Sequence, residues 1–117
     1  MIEKYLNELK SLQEQLEKEG QCKNSYDDCV YVKQGHSGCA VGRRLNDEEK
    51  LAWAEAEAQE TDTGYYNMSR KLGVPKYFEG WHERVVEALQ YVHDIYDHNR
   101  ENAIEEYKRI ASDALNQ

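Results

Sequence analysis

Trp81, Val85, Leu89, Val92 and Tyr96 recur at spacings of three and four residues, and Val86 widens the row into a stripe. A period of about 3.6 residues places them all on one side of an α-helix over about residues 79–97. A side that apolar has to be covered, and the rest of the chain supplies the cover. Ile2, Tyr5, Leu9, Leu12 and Leu16 form a narrower stripe on a charged helix over 2–19 that stops before Gly20. Ala103, Tyr107, Ile110, Ala111 and Ala114 form a seam of small and large residues on a helix over about 99–115. That helix is expected to pack antiparallel to the central one.

Two shorter helices complete the inventory. Asn46 or Asp47 caps a helix over about 47–59, where Glu48 and Glu49 suit the positive N-terminal end. Thr61 to Gly64 interrupts it, and a short helix over about 65–72 closes at Gly73, with Pro75 just beyond. Between the first helix and Asn46 the period changes. Cys29 to Lys33 is rich in β-branched and aromatic residues, and Gly35 to Gly38 supplies a turn before Cys39-Ala40-Val41. This pattern predicts a short β-hairpin over about 29–42. The expected fold is therefore mainly α, a small domain of about four helices with a hairpin inserted after helix 1. At 117 residues, with no repeat, linker or low-complexity tract, residues 1–117 read as a single domain with one modest core.

Charge and cysteine usage narrow the function classes. A formal net charge of −8 repels phosphate, which argues against broad nucleic-acid or anionic-membrane binding. No signal-peptide core and no membrane-length apolar run is visible, so a cytoplasmic protein is expected. Three cysteines, an odd number, fit free thiols in a reducing compartment.

The unusual chemistry gathers between Cys22 and Arg44. Cys22, Cys29, His36 and Cys39 are ligand types that zinc accepts, but only His36 and Cys39 form a compact pair, and buried thiols used as small apolar side chains are the simpler reading. No metal and no cofactor is favoured. Cys39, after a glycine turn, is a candidate nucleophile if the His93-Asp94 pair or His82 comes near it and Arg43, Arg44 or a histidine lowers its pKa. Both histidines flank the buried stripe at the spacing of Val86 and Leu89, where a bond to backbone is the commoner use of a histidine. Asp94 and Asp97 read as solvated.

Lys33, Arg43 and Arg44 lie in a stretch from Val30 to Leu45 that contains no Asp or Glu. Gly35, Gly38 and Gly42 permit close backbone approach there, and a hairpin feeding a helix start offers free amides. Together with Tyr31, Gly38 and His93, these basic residues form a candidate rim for a small anion. Others of the nine tyrosines, Tyr65, Tyr66, Tyr77, Tyr91 and Tyr96 among them, suit core edges or an interface.

Cys29-x-Tyr31, then Gly38 running into Cys39-Ala40-Val41-Gly42, and later Leu89-Gln90-x-x-His93-Asp94 resemble a family of small hypothetical proteins encoded largely by bacteriophages and prophages. These carry a CxY…CAVG element and a later LQxxHD-like helix. The resemblance spans residues 20 to 115 and implies an accessory role in the host cytoplasm, such as modulating a host protein or countering host defence. It implies no reaction, and the tandem Arg43-Arg44 departs from the family pattern, where apolar residues are frequent. The expected function is a non-catalytic binder of a host protein or a small anionic molecule. The alternatives are a small cysteine-dependent enzyme using Cys39 with His93 or His82, and an acidic DNA mimic. The stripe of helix 1 also suits self-association into a homo-oligomer.

Overall fold

The computed structural model describes residues 2–116. Five α-helices carry the chain: α1 (Ile2–Glu19), α2 (Asp47–Gln59), α3 (Tyr65–Leu72), α4 (Glu83–Asp94) and α5 (Tyr96–Ala114), with 3-10 turns at Gly42–Arg44 and Lys76–Phe78. The stripes read from the sequence supply the buried faces, with Ile2, Ile110 and Ala114 half-buried at their edges. α1 buries Tyr5, Leu9, Leu12 and Leu16, α4 buries Val85, Val86, Leu89 and Val92, and α5 buries Tyr96, Ala103, Tyr107 and Ala111. α4 and α5 run antiparallel, since Arg84 at the start of α4 shares a groove with Glu106 and Ile110, well along α5. The Tyr107 hydroxyl donates to the Tyr5 carbonyl at 2.7 Å, tying α5 to α1. Among the described residues, no helix is long and apolar enough to cross a membrane.

The stripe helix is shorter than the 79–97 its period suggests. Gly80, at φ 84°, turns the chain before the helix begins, and the His82 ring accepts the Arg84 N–H at 3.2 Å as the N-cap. Trp81 therefore lies ahead of α4, where it packs on Tyr5 and Phe78 with ring centroids 4.9 and 5.1 Å away. At the other end α4 stops at Asp94. Ile95, at φ −112° and ψ 17°, is the joint, and α5 begins at Tyr96, with Asn99 as a kink inside it and not its start.

The expected hairpin over about 29–42 is absent. Among the described residues no strand forms, only an isolated antiparallel bridge between Lys23 and Cys29. The reason is competition for backbone groups. The Tyr31 N–H donates to the Glu57 carboxylate of α2 and the Val41 N–H to Gln90 Oε1 of α4, so amides that a hairpin would pair across strands go to helix side chains instead. The segment is an irregular lid of chain laid over α2 and α4.

α2 buries a single residue, Trp53, which sits between Tyr31 and Tyr65 at 5.1 and 6.2 Å. Its start is fixed by a capping box, in which Asn46 accepts from the Glu49 N–H and Glu49 accepts from the Asn46 N–H, at 2.8 and 2.9 Å. This cap and the Trp53 anchor hold Glu57 against the irregular segment.

Candidate functional site

Gln90, His93 and Asp94 lie at i, i+3 and i+4 on α4, so their side chains share one face. Gln90 Nε2 donates to Asp94 Oδ1 at 2.9 Å, and His93 Nδ1 meets the same oxygen at 2.9 Å. His93 Nε2 accepts the Cys22 N–H at 2.9 Å, and this assigns the ring proton to Nδ1, which donates to Asp94. Gln90 Oε1 accepts both the Cys39 thiol and the Val41 N–H at 3.0 Å. Gln21 Nε2 closes the end of α4 by donating to the His93 and Asp94 carbonyls at 2.7 and 3.0 Å. The result is an unbroken chain of hydrogen bonds from Cys22 through His93, Asp94 and Gln90 to Cys39 and Val41. At its buried ends, on Cys22, Cys39 and Val41, each bond left unmade costs about 1–3 kcal/mol, so the chain holds the irregular segment firmly to α4.

The candidate ligands and nucleophiles now have definite surroundings. Cys22, Cys29 and Cys39 are free thiols. Cys39 is almost fully buried, and burial pushes its thiol well above the usual range. Its hydrogen bond goes to Gln90, and His93 is linked to it only through Asp94 and Gln90. His82 is engaged as the α4 cap. Burial raises Cys22 to about 11 and, with Asp94 adding its charge, Cys29 to about 12. His36 accepts the Gly38 N–H on Nδ1 at 2.9 Å, so its Nε2 carries the proton and donates to the Gly20 carbonyl at 3.1 Å.

The quartet Cys22, Cys29, His36 and Cys39 does not converge. Among the described residues the metal-type cluster is Cys29, His93 and Asp94, whose ligand atoms lie within 4.8 Å of one another. The carboxylate on Nδ1 resembles the support of a metal-binding histidine. Yet Nε2, the atom that would meet the ion, already meets the Cys22 N–H, and shifting the proton to free Nδ1 would set one N–H against another.

The basic residues turn elsewhere. Arg44 forks onto Glu8 of α1 with Nε to Oε2 at 2.7 Å and Nη2 to Oε1 at 2.9 Å, while Arg43 Nη2 lies 3.6 Å from Oε2. Arg43 also donates to the Ser11 carbonyl and Gln15, and the Tyr77 hydroxyl donates to Glu8 at 2.6 Å. Burial, then the Arg44 charge, lowers Arg43, whereas the hydrogen bond to Glu8 raises Arg44. The outer face of this pair forms a groove shared with Glu14 and Glu19, and Lys33 is exposed and not part of it. Gly38 is buried, with its carbonyl accepting from Gln15 Nε2 at 2.8 Å.

Over the hydrogen-bonded chain opens a cleft of about 320 Å³, walled by Cys29 to Tyr31, Glu57 of α2, Thr63 to Tyr65 at the start of α3, and Glu87, Gln90, Tyr91 and Asp94 of α4. Its walls are tied to one another. Both Glu57 oxygens accept the Tyr31 N–H, at 2.9 and 3.2 Å, and the Tyr31 hydroxyl donates to the Thr63 carbonyl at 2.6 Å. Burial raises the carboxyl of Glu57, with Asp94 adding to it, and partial burial with Glu83 nearby raises that of Glu87. No lysine, arginine or histidine belongs to the wall.

Of the residues singled out in the sequence, Tyr31, Cys29, Tyr65 and Tyr91 reach this cleft, and His93 lies beneath it. Gln90 was visible only as a letter of the Leu89-Gln90-x-x-His93-Asp94 element, and Asp94 as the neighbour of His93 or as a solvated acid. Glu57 and Glu87 carried no signal, being two acids among many on helices with charged faces. Compared with protein-family models, curated proteins and solved structures, the chain matches none.

Proposed function

We propose that this protein is a non-catalytic binder that holds a small molecule in the cleft between the Cys29–Tyr31 segment, α2, α3 and α4. One observation carries the reading: the walls come from four separate stretches of chain and are tied to one another, Tyr31 to Glu57 and to Thr63, and the Cys29 thiol to the Asp94 carbonyl at 3.9 Å. A site already in its binding shape avoids the ordering cost that a mobile loop would impose on affinity. The cleft volume sits at the lower end of the roughly 300–1,000 Å³ of small-molecule sites.

The thiols favour binding over cysteine chemistry. A nucleophilic cysteine works as its thiolate, whereas burial holds Cys39 and Cys29 in the thiol form near neutral pH. Arg43 and Arg44 both engage Glu8, and their outer groove also carries Glu14 and Glu19, which leaves the cleft as the better site.

Two-dimensional amide NMR, with a mixed panel of cationic, anionic and neutral small molecules, tests this. The expected result is a set of shifts centred on Tyr31, Thr63, Gly64, Tyr65 and Tyr91. Shifts confined to α5, or to the groove beside Arg43 and Arg44, with the cleft silent, would overturn it.

A further inference from the structure

From the charge pattern of the cleft we infer that its ligand is an aliphatic amine cation with more than one charge, held by Glu57 and Asp94 at one end and by Glu87 at the other. The inference rests on the cleft being the ligand site.

The wall carries carboxylates from two helices and no basic side chain. Arg70 and Arg84 lie near Glu87 but outside the wall, and Arg70 pairs with Glu83 at 3.1 Å. Asp94 Oδ1 is occupied by His93 and Gln90, while Oδ2 takes no hydrogen bond from a described residue, and the side chain is 40% exposed. Glu57 and Asp94 both line the cleft from different helices, and a cation placed between the two carboxylates is attracted by both. An anionic ligand would be repelled by both.

The remaining wall fits the stem of such a ligand. Tyr31, Tyr65 and Tyr91 supply rings, Val30 supplies a methyl surface, and ammonium groups are attracted to ring faces as well as to carboxylates. Charge spacing argues for more than one ammonium. Glu87 and Asp94 are seven residues apart on α4, roughly 10 Å along the axis at about 1.5 Å per residue. A second cavity shares the wall Cys29, Val30, Glu57 and Thr63, adds Asp28 and Glu60, and also lacks a basic residue in its lining. Negative potential therefore continues past Glu57, although Glu60 is paired with Lys71 at 2.9 Å.

Putrescine, 1,4-butanediol and adipate share a tetramethylene stem and differ in charge, so amide NMR titrations of the intact protein with the three separate charge from shape. Putrescine is expected to shift Tyr31, Tyr65 and Tyr91 where the other two do not. Glu87→Gln is expected to weaken putrescine about tenfold, while Glu105→Gln, an exposed acid on α5, changes it by less than about twofold. Equal weakening by the two substitutions would overturn the inference, because the amine would then answer to net charge alone. Binding of adipate or butanediol in the cleft without putrescine would overturn the ligand class and leave the cleft standing. Silence of the cleft to all three would overturn both.

Discussion

Gly42→Ala is expected to remove about 4 kcal/mol of folding stability, a large share of the roughly 5–15 kcal/mol that a domain of this size possesses. A Cβ at Gly42 would lie 1.7 Å from the Tyr31 carbonyl oxygen and 2.6 Å from its carbon. Both are backbone atoms, and neither can swing aside as the end of a side chain would. Tyr31 is in turn tied to Glu57 through its N–H and to Thr63 through its hydroxyl, so backing away breaks the cleft wall. Gly38 is pressed against the same carbonyl: a Cβ added there would lie 3.0 Å from the oxygen, and the Cys39 N–H donates to it at 3.3 Å.

Gly35→Ala provides the comparison. Gly35 has a positive φ, 84°, but nothing lies within 4 Å of its Cβ position. Only left-handed strain applies there, at about 1–2 kcal/mol. Urea denaturation of the two variants is expected to show the larger loss at Gly42, and equal midpoints would contradict the close approach.

The second large effect is expected at Glu8. Glu8→Gln keeps the shape of the side chain and removes the charge that faces two guanidinium groups. Glu8 is 4% exposed and Arg43 6%, so water cannot replace the lost partner. Arg43 and Arg44 would then repel each other across a nearly dry site, and breaking a buried pair in this way costs about 3–5 kcal/mol. Arg44 is 29% exposed, which places the expected loss near the lower bound, about 3 kcal/mol. Glu60→Gln, removing the partner of Lys71 where the two side chains are 31% and 56% exposed, is expected to cost under about 1 kcal/mol. Thermal and urea unfolding check both, and a Glu8 variant no less stable than the Glu60 variant would show that the arginines find other partners.

Helices α1, α4 and α5 were legible because each buries a regular stripe, and periodicity reports burial directly, whereas α2, which buries only Trp53, was legible from its cap. Tyr5, Leu9, Leu12 and Leu16 could be placed facing inward from spacing alone, as could Val85, Leu89 and Val92. The expected hairpin fails for a physical reason. Cys29 to Lys33 has strand-like composition, yet composition does not say where a backbone amide will find its acceptor. Here the acceptors are Glu57 and Gln90, 26 and 49 residues away. The same distance hid the cleft, because its acids come from helix positions that look solvated one helix at a time. Tandem arginines after a glycine turn suggested an anion rim, and nothing local revealed that Glu8, 36 residues earlier, would meet Arg44. By contrast, the two short elements Cys39-Ala40-Val41-Gly42 and Leu89-Gln90-x-x-His93-Asp94 do meet in space, through Gln90.

Amide hydrogen exchange of the ligand-free protein tests most directly whether the irregular segment is a fixed wall or a loose loop. The N–H groups of Cys22, Tyr31 and Val41 are bonded to His93, Glu57 and Gln90, so they are expected to exchange as slowly as α4 core amides such as Val92, through global unfolding. Exchange of all three at the rate of an unprotected loop, with Val92 still protected, would contradict a preformed cleft.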